Sequence, residues 1–381
     1  MNNPIRVAIT QGDFNGVGLE VALKALADEN ITELFTPILF ADHRIVEHAL
    51  RVFQLDMPHL RLIKNLQQVE DNCLNVVHLN LADAGVTAGT PSKASGCGAL
   101  ASIDAAVEAI ARGEADVLVT APICKEAIDL PGFTGHTEYL GAKAGGNVKP
   151  QMILFDDHVR VALVTTHLPV SRIAENISVE NIEAALRRFD ATLRSDYGVD
   201  RPKIAILSLN PHCGDGGLLG GEEKEAIIPA IEKCFADGLL AFGPYAADGF
   251  FGTGAYRDFD GVLAMYHDQG LAPFKSLARE NGVNFTAGLP YVRTSPDHGT
   301  AYDIAWQGVA DPTSMREAIY KAIDIYRCRQ RYAEASAHPL KITPPERNAR
   351  SEREGGEPRF PKFPKSAKQE KEAKNNSQPI E

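Results

Sequence analysis

The stretch 203–212, KIAILSLNPH, contains the pattern from which the fold can be inferred. Residues 204–209 are apolar except for Ser208, and the polar end 210–212, NPH, follows them. A short run of this kind is typical of a strand that is buried on both faces, as in a parallel sheet covered by helices. Because ligands bind beyond the carboxyl ends of such strands, His212 is a candidate functional residue.

Similar runs recur along the chain and alternate with longer stretches of helical periodicity. The predicted strands are 6–10, 37–41, 116–120, 152–155, 159–165, 203–209 and 261–266. The predicted helices are 99–112, 178–197, 222–236 and 314–329, and the last begins with the capping-box sequence Ser314-x-x-Glu317. The alternation predicts an α/β fold with a parallel sheet.

Three of the predicted strands are followed by a histidine: His167 after VALVTT, His212 after LSLNP, and His267 after VLAMY, with Asp268 beside it. Since the carboxyl ends of parallel strands converge on one crevice, the three rings could meet there. Imidazole suits divalent transition metals, and three protein ligands leave a position open for substrate. A single histidine at a strand end is usually structural or exposed, whereas three in matching contexts favour a catalytic metal site.

A second candidate site is the sequence GHTE at 135–138, which is typical of a turn leading into a helix. His136 and Thr137 could bind a phosphate oxygen together with the free N–H groups of the first helical turn. The same letters also fit an ordinary capped helix start with Glu138 in its first turn.

A third candidate site runs from Lys275 to Arg293, two cations that flank a short apolar strand preceded by Asn284. They could grip a carboxylate or phosphate, or they could be two surface cations with partly buried stems. The polar turn that follows, 296–301, could contact a dinucleotide or cap a helix.

The glycine-rich turn 12–18, GDFNGVG, follows the first strand and superficially resembles a dinucleotide-binding fingerprint. Gly16 and Gly18 match that fingerprint, but Val21 stands where its third glycine belongs, although Asp42 ends the next strand as a ribose-binding acid would. A turn that packs a helix against a strand explains the sequence equally well, so no cofactor site is assigned to it.

The composition of the 381 residues, 44% hydrophobic and 23% charged, is ordinary for a soluble protein of two domains. A net charge of −11 disfavours nucleic-acid binding. We expect no secretion signal, no membrane-spanning run and, from six scattered cysteines without a CxxC pair, a reduced cytoplasmic protein. The segment 341–381 is rich in Pro, Lys, Glu and Arg, which predicts a disordered tail or, alternatively, a partner-binding arm.

Together these motifs resemble the 4-hydroxythreonine-4-phosphate dehydrogenase family. The matching segments, in family order, are TQGDFNGVGLE (10–20), VTAPICK (119–125), GHTE (135–138), THLP (166–169), LNPHCGDGG (209–217), YHDQG (266–270) and PDHGT (296–300). Phe14 and Leu19 stand where the family usually has prolines, which affects only the expected shape of that loop.

The resemblance implies a two-domain α/β/α fold similar to isocitrate and isopropylmalate dehydrogenases, with the active site in the interdomain cleft. One domain would comprise 1–135 and about 275–340, and the other about 136–274. It also implies a homodimer in which each active site lies at the subunit interface.

For the site, the resemblance implies that His167 and His212 of one subunit and His267 of the other hold a divalent metal such as zinc, magnesium or cobalt. The residues implied to bind a small phosphorylated substrate are His136, Thr137, Lys275, Asn284 and Arg293. Asp268 and Lys275 are candidates for proton transfer. NAD or NADP is the implied second cofactor, with no residues assigned to it.

The implied activity is the oxidation and decarboxylation of 4-phosphooxy-L-threonine to 3-amino-2-oxopropyl phosphate in pyridoxal 5'-phosphate (vitamin B6) biosynthesis. One alternative is a paralogous dehydrogenase of 4-phosphoerythronate or 4-phosphothreonate, which a panel of substrates would separate. More distant alternatives are a phosphate acyltransferase of the same fold, which needs no three-histidine metal site, and a binding protein without turnover.

Overall fold

All seven predicted strands are present in the computed structural model, which describes residues 4–28, 30–145 and 148–339. The strands are β1 (Arg6–Thr10), β2 (Thr36–Ala41), β3 (Leu60–Ile63), β4 (Leu74–His78), β5 (Val117–Val119), β6 (Gln151–Phe155), β7 (Arg160–Leu163), β8 (Lys203–Leu207), β9 (Leu240–Tyr245), β10 (Gly261–Ala264), β11 (Val283–Ala287) and β12 (Val292–Pro296). The predicted tail, 341–381, lies outside the described residues.

The helices also follow the sequence pattern, with different ends. They are α1 (Gly18–Ala25), α2 (Ile31–Leu34), α3 (His43–Phe53), α4 (Lys93–Ala111), α5 (His136–Lys143), α6 (Val179–Ser195), α7 (Ile228–Ala236), α8 (Ala247–Gly252), α9 (His267–Ala278) and α10 (Thr313–Ser336). The predicted cap at Ser314 is wrong, because its hydroxyl donates to the carbonyl of Gly282 and accepts from the backbone N–H of Asp297. A capping box exists instead at Ser92 and Ser95, at the start of α4.

The strands form one sheet in the order β3-β4-β2-β1-β5-β12-β11-β6-β7-β10-β8-β9. Most neighbours are parallel, as predicted, but β6 pairs antiparallel with both β7 and β11, and β11 with β12. A tight turn joins β6 to β7, which explains this one pair, since such a turn can join only antiparallel strands. In that turn Asp156 accepts hydrogen bonds from the backbone N–H groups of His158 and Val159.

Helices cover both faces of this sheet, which confirms the predicted α/β fold class. On one face, residues such as Ile9 and Ile206 belong to one continuous core that includes side chains of α1, α6 and α10. On the opposite face the core has two parts, one around Phe40 and Ile103 of α4, the other around Phe274 of α9. The proposed division into two domains stays a prediction.

The glycine-rich turn after β1 is a packing element, as one of its two interpretations predicted. Gly12 has φ +68°, and a Cβ there would lie 2.4 Å from the carbonyl oxygen of Pro122. The buried Asp13 accepts hydrogen bonds from the hydroxyls of Ser95 and Tyr302, both at 2.9 Å. The carboxylate of Asp13 is thus hydrogen-bonded to other parts of the protein and holds the turn in place.

One described helix, α4, is long and apolar enough to cross a membrane, contrary to the expectation that no run approaches this length. Its start carries Gly96 and Gly98, and a Cβ on Gly96 would lie 2.0 Å from the carbonyl oxygen of Ala127. Ile103 and Ala106 are fully buried against the sheet. The apolar composition of α4 is therefore explained by its place in the core.

Candidate functional site

A cavity of about 190 Å³ opens on the face of the sheet that is covered by α4 and α9. It lies between the two parts into which the hydrophobic core of that face is divided. Ile123 packs against one part, Met152 belongs to the other, and both line the cavity. Five predicted site residues also line it: His136, Thr137, His167, Asn284 and Arg293. The fold thus brings together side chains that are up to 157 residues apart in sequence, from 136 to 293.

Arg293 forms the cationic floor of this cavity and is only 1% exposed. Its Nε donates to the hydroxyl of Thr120 at 3.1 Å, and its Nη1 to the hydroxyl of Thr286 at 2.8 Å. Within the described ranges no carboxylate pairs with this guanidinium, and burial lowers the pKa of Arg293 to about 9. Since a guanidinium carries five N–H donors, donors remain for an anion in the cavity. The alternative of a surface cation is wrong for Arg293.

Several buried polar atoms around Arg293 have no hydrogen-bond partner among the described residues. They are Nε2 of His136, Oδ1 of Asn284 and Nε2 of His298. Buried polar groups are rarely left unpaired in native proteins, so these atoms indicate where a polar ligand would bind. The predicted substrate-binding roles of His136 and Asn284 stay predictions, and His298 belongs to the turn 296–301, for which a dinucleotide contact is one of the two interpretations.

The start of α5 presents free backbone donors to the same cavity. The helix begins after Gly135, and no side chain caps it, so the alternative of an ordinary capped helix start is wrong. His136 and Thr137 occupy its first turn and line the cavity. Uncapped N–H groups and the positive end of the helix dipole favour an anion at this position.

The enclosed ring of His136 makes the stability of the free protein depend on pH. Burial, and then the charges of Arg293 and Lys125, hold the pKa of His136 well below 6.5. As the pH falls below about 6.5, the unfolded chain gains a proton that the folded chain does not, so the free energy of unfolding decreases. We expect His136→Asn to lose less stability than the parent protein between about pH 7 and about pH 5 in denaturant titrations. Equal losses, with the exposed His158→Asn as control, would contradict this.

Two of the three predicted metal ligands meet at the edge of the cavity. Strands β7 and β10 are parallel neighbours, and the rings of His167 and His267, which follow them, have centroids 6.1 Å apart. Nδ1 of His167 lies 3.2 Å from Oε1 of Glu138, and Nδ1 of His267 lies 2.6 Å from Oδ1 of Asp268. Because each carboxylate engages Nδ1, each ring keeps Nε2 for a metal ion.

The third predicted ligand, His212, follows β8, the neighbour of β10 on its other side. Its loop has left-handed backbone angles at His212, Cys213 and Asp215, with φ of 52°, 54° and 42°. Such angles are uncommon outside glycine. In the part of the chain that the structure describes, no three His, Cys, Asp or Glu side chains lie close enough to hold a metal ion. The three-histidine ligand set therefore stays a prediction.

The two candidates for proton transfer lie beside the cavity. Lys275 is half exposed, and its Nζ lies 3.1 Å from Oδ1 of Asp297 and donates to the carbonyl of the same residue at 2.9 Å. Asp297 lines the cavity, and burial raises the pKa of its carboxyl. Asp268 is exposed beside His267. The sequence singles out the turn that contains Asp297 but not its contact with Lys275, which spans 22 residues.

The turn that contains Asp297 does not lead directly into a helix, so its interpretation as a helix cap is wrong. The next helix begins only at Thr313. His298 instead lines the cavity with a buried, unpaired Nε2. The predicted dinucleotide contact of this turn stays a prediction.

Comparison with known proteins identifies the family. Residues 33–322 match the model of the pyridoxal phosphate biosynthetic protein PdxA. A 4-hydroxythreonine-4-phosphate dehydrogenase of Bacteroides thetaiotaomicron is 49% identical over 89% of this chain and 93% of its own length. The solved structure of such a dehydrogenase from Klebsiella pneumoniae is 33% identical, with a TM-score of 0.74 over 85% of this chain and all of that one. A relative from Oceanobacillus iheyensis, 37% identical over 84% of this chain and 97% of its own length, is provisionally named a D-threonate 4-phosphate dehydrogenase. This chain belongs to the PdxA family.

Proposed function

We propose that this chain is a nicotinamide-dependent dehydrogenase that converts 4-phosphooxy-L-threonine to 3-amino-2-oxopropyl phosphate and CO₂ in pyridoxal 5'-phosphate biosynthesis. The names of its relatives support the reaction, and one observation supports the substrate class most directly. Arg293 is a buried cation without an anionic partner among the described residues, and it faces a cavity lined by His136, Thr137 and Asn284. Burying an unpaired charge is costly unless a ligand compensates it.

The phosphate group of the substrate would bind at this cationic floor. Arg293 donates charge-assisted hydrogen bonds, and the uncapped first turn of α5 adds backbone donors. His136, whose pKa is low, is neutral near pH 7 and can donate one hydrogen bond without adding charge. Thr137 supplies a hydroxyl at the same position.

The imidazoles at the cavity edge fit a divalent metal ion, because the two Nδ1 atoms are engaged by carboxylates and the two Nε2 atoms remain available. His167 and His267, completed by His212, would hold zinc, magnesium or cobalt, which when bound polarises a substrate hydroxyl. The resemblance assigns His267 to the second subunit of a homodimer, whereas His167 and His267 already lie together in one chain. The division of the three ligands between two chains stays a prediction.

Oxidation needs a base for the hydroxyl proton and an acceptor for the hydride. A bound NAD or NADP would supply the hydride acceptor, and the unpaired Nε2 of His298 is a polar atom that could bind an amide or hydroxyl of this cofactor. Asp268 can accept the proton, while Lys275, held by Asp297, can return one to carbon after CO₂ has left. We also propose that the protein is a cytoplasmic homodimer, in keeping with its free cysteines among the described residues.

The test is the rate of formation of reduced nicotinamide with a panel of substrates. We expect turnover with 4-phosphooxy-L-threonine and NAD or NADP, lost after treatment with a chelator and restored by a divalent metal. D-Threonate 4-phosphate and 4-phosphoerythronate serve as the competing substrates. Faster turnover of either, or equal activity with and without chelator, would contradict the proposed substrate or the proposed metal dependence respectively.

A further inference from the structure

The first turn of α5 connects the two ends of the candidate site. His136 and Thr137 line the cavity near Arg293, and the next residue, Glu138, contacts His167 at the metal end. Consecutive residues of one helical turn move together. A shift of this turn therefore displaces the proposed phosphate-binding residues, His136 and Thr137, and the carboxylate of Glu138 at the same time.

Glu138 also has a geometry suited to orienting His167. Its Oε1 lies 3.2 Å from Nδ1 of the ring, so the carboxylate fixes the tautomer that leaves Nε2 free. Its other oxygen, Oε2, is buried without a partner among the described residues, although the side chain as a whole is 40% exposed.

We propose that Glu138 is a positioning residue that couples phosphate binding at α5 to metal binding at His167. The inference depends on the proposed function, because that function supplies both ligands, the phosphate group and the metal ion. A phosphate held by the first turn of α5 fixes the backbone that carries Glu138, and the carboxylate then fixes the metal-binding ring. By linkage, a metal held by His167 strengthens phosphate binding by the same factor.

The experiment is a calorimetric titration of the full-length protein with Co²⁺, with and without inorganic phosphate. For Glu138→Ala we expect Co²⁺ affinity to fall by about 10- to 100-fold, the usual range when a carboxylate that supports a ligand histidine is removed. Phosphate should strengthen Co²⁺ binding to the parent protein and have no such effect on Glu138→Ala. Glu138→Gln keeps an acceptor for Nδ1 of His167. Its Co²⁺ affinity is expected to lie between those of the parent protein and Glu138→Ala.

The matched control is Glu180→Gln, which changes an exposed glutamate in the first turn of another helix, α6, and should leave both affinities unchanged. Thermal unfolding of each variant shows whether a loss of Co²⁺ affinity reflects a loss of fold, and Glu138→Gln keeps the test open if the alanine variant is unstable. Unchanged Co²⁺ affinity in both Glu138 variants overturns the inference and leaves the proposed function intact. A phosphate effect that persists in Glu138→Ala overturns the coupling. A parent protein that binds no Co²⁺ overturns the proposed metal site itself, and the inference with it.

Discussion

Replacement of Arg293 by methionine is expected to lower kcat/KM for the phosphorylated substrate by about 30- to 4,000-fold, because breaking a buried, hydrogen-bonded charge pair costs about 2–5 kcal/mol. Arg293→Lys should recover only part of this loss, since an ammonium lacks the planar donor array that contacts both Thr120 and Thr286. Steady-state kinetics of the two variants provide the measurement. Arg112→Met, which changes an exposed arginine paired with Glu108, is the control.

The same substitution should not destabilise the substrate-free protein. Arg293 is 1% exposed and has no carboxylate partner in the described ranges, so methionine removes the cost of burying a charge while filling a similar volume. We expect the free energy of unfolding to stay equal or rise, and the thermal stabilisation by inorganic phosphate to disappear. If Arg293→Met unfolded much more readily with and without phosphate, Arg293 would be a structural link between Thr120 and Thr286 and not an anion site.

The sequence predicts the parts of the fold that depend on local pattern. Apolar β-branched runs place seven strands correctly, and the histidines at their ends identify His167 and His267, which meet because β7 and β10 are neighbours. The strand β3 escapes prediction, since it lies at an edge of the sheet and two of its four side chains are exposed. The start of α4 escapes because Gly96 has low helix propensity, although its close approach to Ala127 requires a glycine.

Contacts between distant segments are the part of the site that no local pattern reveals. The sequence offers Arg293 as a candidate cation, but its burial follows from the position of β12 between β5 and β11 in the middle of the sheet. Glu138 is visible only as a first-turn acid, since its contact with His167 spans 29 residues. The loop of His212 has a left-handed backbone at three non-glycine residues, which the letters NPHCGDGG do not specify.

If His212 is a metal ligand, as proposed, His212→Ala will abolish turnover and weaken metal binding by about 100-fold or more, since it removes a ligand and not merely a group that orients one. Its effect on folding should be small, because His212 is an exposed loop residue whose side chain contributes nothing to the apolar core. Activity assays, Co²⁺ titration and thermal unfolding measure the three effects, with His158→Ala as an exposed-histidine control. Full activity of His212→Ala, matched by full activity of chelator-treated parent protein, would contradict a metal role.

Mixing inactive variants then determines which histidine, if any, comes from a second chain. If His212 and His267 belong to different chains of one site, a mixed dimer of His212→Ala and His267→Ala contains one intact site, and random mixing restores about a quarter of the parent activity. If His167 and His267 come from the same chain, as their 6.1 Å ring separation favours, a mixture of His167→Ala and His267→Ala stays inactive. Recovery in both mixtures would instead assign His267 to the partner, and recovery in neither would place all three ligands in one chain. Recovery only in the second mixture would assign His167 to the partner, so the pair of mixtures separates four arrangements that share the same ligands and differ only in how two chains divide them.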